Sequence, residues 1–73
     1  MKISSREQEV LYLIAHEYTT SEIAKELYIS THTVDTHRKN LLFKMNVRNV
    51  AGLVRKGFER GILRVNSMSV IST

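Results

Sequence analysis

The sequence contains no cysteine and no proline, and its three glycines, Gly52, Gly57 and Gly61, all fall in the last third. The missing cysteine removes a disulfide framework, a thiolate zinc site and a cysteine nucleophile together. It also fits a reducing compartment. Without proline, and with glycine so scarce, the punctuation that strand-and-turn proteins need is lacking. Long apolar runs are missing too. Nothing approaches the roughly 20 residues that span a bilayer, and the amino terminus has no signal-peptide core. With 73 residues the chain can build one domain, whose core leaves no room for a deep substrate cavity. A soluble, cytoplasmic domain without a membrane partner is the expectation.

Acidic residues are scarce in the second half. Residues 1–35 carry three cations and six acids, whereas residues 36–73 carry eight cations and a single acid, Glu59. The formal net charge of +4 and the pI near 9.8 thus combine a −3 half with a +7 half. Such a surface suits a polyanion, nucleic acid before anionic membrane. The plain alternative is a basic face that only keeps the domain in solution.

What is present is helical spacing. Val10, Leu11, Ile14 and Tyr18 form one stripe, and Ile23, Ala24 and Leu27 a shorter one. Ser4 stands three residues before Glu7, and Thr19 three before Glu22, the reciprocal arrangement that satisfies two orphan amides at a helix start. Ser30 and Asn49 suit the N-caps of two further helices, and Gly61 suits the left-handed position after the last. The spacing predicts an all-α fold with helices over about 5–16, 20–27, 31–45 and 50–60. The domain then covers residues 1–63, and residues 64–73, without a helical stripe, form a loose tail. Helices two and three, joined by a turn of about three residues, make a helix-turn-helix. The Ala24 methyl lets the two cross closely.

The third helix carries the functional signal. At about 100° per residue, setting Val34 at zero places Leu41 at about −20°, Met45 at about 20° and Leu42 at about 80°. His32, Asp35, Thr36, Lys39, Asn40 and Phe43 lie opposite. Short polar groups and a cation suit base edges: lysine donates to guanine, asparagine pairs with adenine, aspartate accepts from cytosine, and the threonine methyl meets thymine. A merely solvated face would favour long Glu and Lys, whereas this helix spends positions on Thr31, Thr33 and Thr36, all poor helix formers. His37 borders the buried stripe, half packed and within reach of a phosphate. Phe43 has no assigned role.

Other chemistries find no support. His32 and His37 stand about 140° apart on the helix, too far to chelate one metal. No hydroxyl sits beside a base and an orienting acid, and no glycine-rich phosphate loop exists. The carboxylates fall mostly on the outer faces of helices one and two, where cap and dipole roles explain them. No catalysis, metal or cofactor is expected.

The segments SSREQEVLYLIA, TTSEIAKELYISTHTVDTHRKNLLFKM and NVAGLVRKGFERGIL resemble the LuxR-type (LuxR/FixJ/NarL) DNA-binding domain over residues 3–63. The resemblance implies a four-helix unit whose third helix enters the major groove of double-stranded DNA and whose fourth supplies a homodimer contact. It puts base reading on Asp35, Thr36 and Lys39, with His32 adjacent. Thr33 and Lys44 fall where the family touches phosphates, and His37 and Arg38 join that set. The dimer contact falls on Val54, Gly57 and Phe58, with Val50 nearby. Glu17 stands where glycine is common, so the turn after helix one must be made differently or the helix must fray. Val50 replaces a frequent arginine, and Gly52 and Gly57 each weaken helix four by about 1 kcal/mol.

The expected function is sequence-specific DNA binding as a transcriptional regulator, by a dimer weak without DNA, on a roughly palindromic site. RNA polymerase is a candidate further partner. A sigma-like promoter-element reader and a protein-interaction domain with a basic face are the alternatives. With so few residues ahead of helix one, no receiver or ligand-binding domain is expected within this sequence.

Overall fold

A computed structural model describes residues 2–64. It has four helices: α1 (Ser5–Ala15), α2 (Thr20–Leu27), α3 (Thr31–Met45) and α4 (Val50–Glu59). The first and last stop one residue short of the expected ends. The expected tail, apart from Arg64, lies outside the described residues.

Each helix begins on the side chain that its sequence offered. Ser4 Oγ accepts from the Glu7 amide at 3.1 Å, and Glu7 Oε1 accepts from the Ser4 amide at 2.8 Å. Thr19 and Glu22 repeat the arrangement at 3.1 and 2.8 Å. Ser30 Oγ accepts from the Thr33 amide at 3.0 Å, and Asn49 Oδ1 from the Gly52 amide at 3.0 Å. Four otherwise unpaired helix starts are thereby satisfied from within the chain.

The ends share one device. Glu17, Tyr28, Asn46 and Gly61 have φ of 66°, 58°, 57° and 74°. After each, the next amide reaches back into the last turn: Tyr18 N to Leu13 O, Ile29 N to Ala24 O, Val47 N to Leu42 O and Ile62 N to Gly57 O, at 2.9–3.1 Å. This left-handed closure suits glycine, and asparagine tolerates it. For Glu17 and Tyr28 it costs roughly 1–2 kcal/mol each. The expected turn after α1 is thus corrected: it is the ordinary left-handed turn, and Glu17 itself adopts it.

Val10 and Leu11 of α1, Ile23 of α2, Val34, Leu41 and Met45 of α3 and Leu53 of α4 are fully buried in one core. Leu63, beyond α4, is buried among them. A Cβ on Gly57 would lie 2.7 Å from Leu63 Cδ1 and 3.4 Å from Leu11 Cδ2. Gly57 therefore faces inward, where only a hydrogen leaves room for Leu63, and cannot line a dimer surface as expected. Val50, Val54 and Phe58 are half-buried at the edge of the same core.

Candidate nucleic-acid interface

Packing α3 through Val34, Leu41 and Met45 turns the opposite side outward. His32, Asp35, Thr36, Lys39 and Asn40 are exposed along it, and Phe43 ends the row at 72% exposure. The base-reading candidates His32, Asp35, Thr36 and Lys39 therefore share one open face. Its hydrogen-bonding capacity is more specific than the sequence suggested. Thr36 Oγ1 donates to His32 O at 3.1 Å, so outward it offers a methyl group and an acceptor but no donor. Lys39 has no intramolecular ion pair among the described residues and supplies donors only. Asp35, equally unpaired, supplies acceptors only.

The flanking positions are half-buried. Thr33 Oγ1 lies 2.9 Å from Ser30 Oγ, tying it to the α3 cap. His37 Nδ1 is buried without a hydrogen-bond partner among the described residues. An unpartnered buried N–H costs about 1–3 kcal/mol, so the cheaper arrangement keeps a lone pair there and the proton on Nε2.

Lys44, expected on a phosphate, is engaged elsewhere. Its Nζ lies 2.8 Å from Glu7 Oε1 and 3.1 Å from Oε2. Glu7 is only 4% exposed, against the expectation that the acids of α1 sit on its outer face. Burial pushes the Glu7 carboxyl up, but the Lys44 ammonium and the Ser4 amide outweigh that and hold it below its ordinary value. One carboxylate thus caps α1 and fastens it to the end of α3.

Of the eight cations in residues 36–73, several are similarly occupied. Arg55 Nε pairs with Glu59 at 3.0 Å, Lys56 Nζ donates to Met45 O at 3.4 Å, and Arg60 reaches Met45 Sδ at 3.9 Å. Lys56 thereby serves the carboxy-terminal end of α3 as well as its own helix. Arg38, Lys39 and Arg48 keep no ion pair among the described residues. Arg48 was counted in the charge total but not singled out. Its signal is its place in a short α3–α4 connection with no acid within reach along the chain.

Two packed helices, a tight left-handed turn and a second helix with an unburied polar face define a helix-turn-helix DNA-binding unit. Residues 1–56 match the bacterial regulatory proteins of the luxR family, and the chain belongs to that family. It is 39% identical over 61 residues to the transcriptional regulatory protein MctR of Rhizobium johnstonii, covering 84% of this chain and 28% of that protein. The uncharacterized response regulatory protein YgeK of Escherichia coli is 36% identical over 64 residues, covering 88% and 44%. The oxygen regulatory protein NreC of Staphylococcus carnosus is 36% identical over 61 residues, covering 84% and 28%. The chain spans less than half the length of each of these relatives. The crystal structure of response regulator ChrA, from a heme-sensing two-component system, superposes with a TM-score of 0.82. Identity there is 25%, over 86% of this chain and 31% of that one. Among the described residues, no helix is long and apolar enough to cross a membrane.

Proposed function

We propose that this domain binds double-stranded DNA sequence-specifically, with α3 in the major groove, and that it acts in transcriptional regulation. The exposed row His32, Asp35, Thr36 and Lys39 on an otherwise anchored helix carries the reading. Lys39 donates to guanine, Asp35 accepts from cytosine, and the Thr36 methyl suits thymine. Thr33, His37, Arg38 and Arg48 hold phosphates. Lys44 is left out of that set, because its ammonium already neutralises a buried carboxylate.

The domain pairs through α4 on DNA, with half-sites about one helical turn apart. Val54 and Phe58, half-buried beside the exposed Ala51, form the contact, with Val50 at its edge; Gly57 takes no part. RNA polymerase is a further partner that such a regulator would meet.

Duplexes selected from random DNA test the reading, measured against scrambled duplexes as salt is varied. With three unpaired cations near α3, the log–log salt slope should be roughly −2 to −3 per protomer. A slope near zero, or equal affinity for selected and scrambled duplexes, rejects it. Val54→Asp that keeps its helical circular dichroism should give one-to-one in place of two-to-one complexes. An unchanged two-to-one complex moves the dimer contact off α4.

A further inference from the structure

Helix α2 leans on α3 more than on α1, and a trough opens between α1 and α2. Its volume is about 410 Å³, and neither α3 nor α4 contributes a lining residue. Buried Leu13 and half-buried Leu27 supply an apolar floor, with the Tyr12 ring beside them, and the exposed Glu9 and Glu26 complete the lining with Ser5 and Gln8. Glu26 is shared with a neighbouring depression, where Glu17 and Glu22 add carboxylates and Lys25 is the only lysine or arginine among the described residues. Arg6 meets Glu9 at 3.1 Å, but both side chains are exposed, so the pair is weak and easily exchanged. Glu26 has no ion pair among the described residues.

These features make a joint demand. The carboxylates repel phosphate, so nucleic acid is not the occupant. The floor, in turn, offers nothing to a purely hydrophilic cation. A trough this open to solvent suits a chain segment better than a small molecule, which pockets usually enclose. We propose that the α1–α2 trough docks a basic amphipathic segment of another protein. A leucine- or phenylalanine-sized side chain lies over Leu13 and Leu27, and lysines or arginines sit beside Glu9 and Glu26. Charge complementarity selects this occupant. Because the trough and the exposed face of α3 share no residue, the segment and DNA are held at the same time. The site stands independently of the DNA reading.

The isotopically labelled domain, titrated at low salt with synthetic helical peptides, provides the test. One peptide carries leucine on one face and lysine on the other; a second replaces leucine by serine, and a third replaces lysine by glutamate. The first should shift the amides of Gln8, Tyr12, Leu13 and Leu27, and bind roughly tenfold or more tighter than either control. Glu9→Gln with Glu26→Gln, both at exposed positions, should weaken it about tenfold without altering the helical circular dichroism. Equal binding of the serine peptide, shifts confined to α3 and α4, or unchanged affinity of the double variant would overturn the proposal. So would salt-sensitive self-association of the domain alone that the double variant abolishes, which would make a second copy the occupant. Octylammonium binding there as tightly as the lysine–leucine peptide would make the trough a small-molecule site instead.

Discussion

Lys39 and Lys44 stand on the same helix, yet Lys39 is exposed with no partner among the described residues while Lys44 closes an ion pair on a buried carboxylate. The contrast extends to the two parts of α3, its longer front segment and its last turn. From Thr31 to Asn40 only Val34 is fully buried, and the remaining side chains are exposed or half-buried. From Leu41 to Met45 the helix sinks Leu41 and Met45 into the core and ties Lys44 to α1. The front part presents and the rear part holds. Charge summed along a sequence overstates what a ligand meets, because folding assigns some cations to partners of their own.

The largest effect that could break this contrast is at Lys44. Lys44→Ala should cost about 3 kcal/mol of stability, since it leaves the Glu7 carboxylate buried without its counter-charge. Glu7→Gln together with Lys44→Met should recover most of the loss, because the glutamine keeps the α1 capping box and no charge is stranded. The pair also has a pH signature. The folded-state value for Glu7 is held below its ordinary 4.5, so the stability that the pair supplies is complete above that value. It is lost as pH falls through the lower, folded-state value. Chemical denaturation between neutral and acid pH should show this loss in the parent and its absence in Lys44→Ala. If Lys44→Ala keeps full stability and only weakens DNA binding, the two parts of α3 do not differ as described.

Lys39→Ala is the counterpart. It should leave the unfolding midpoint unchanged, lower affinity for the selected duplex by about 1–3 kcal/mol and relax the base preference at one position. Binding to random duplexes should fall much less. A uniform loss on every sequence would place Lys39 on a phosphate, and α3 would be rotated from the proposed orientation.

The same division governs what the sequence made legible. All four helix starts were readable, because a cap and its amide lie three residues apart and local chemistry decides them. The outward row on α3 was readable from its period. The partner of Lys44 was not, since Glu7 is 37 positions away and only the packing of α1 on α3 brings them together. The inward direction of Gly57 was hidden likewise, because it is set by Leu63 folding back under α4. Glu17 was misjudged for another reason: the tertiary fold needs its left-handed turn enough to override the residue's preference. Glu17→Gly should therefore stabilise the domain by about 1 kcal/mol. The midpoint of thermal unfolding should rise by about 4–8 °C for a domain of this size. A fall would mean that the Glu17 side chain supplies more than the turn costs.

The smallest effect, at Asp35, sharpens the contrast within the presenting part itself. Asp35 is exposed, has no ion pair among the described residues and sits on the face proposed to approach a polyanion. A carboxylate there is unfavourable for binding phosphate and useful only for choosing among bases. Asp35→Asn removes the charge and keeps the shape. The repulsion relieved in a hydrated groove is on the order of 1 kcal/mol or less, so random duplexes should bind a few-fold more tightly. Stability should stay within about 0.5 kcal/mol of the parent, as for other surface changes. The ratio of selected to random affinity should fall, because asparagine no longer offers an acceptor-only edge to cytosine N4. Competition titrations with both duplexes measure that ratio directly. Should Asp35→Asn leave it unchanged, Asp35 lies outside the contacted bases, and reading is confined to His32, Thr36 and Lys39.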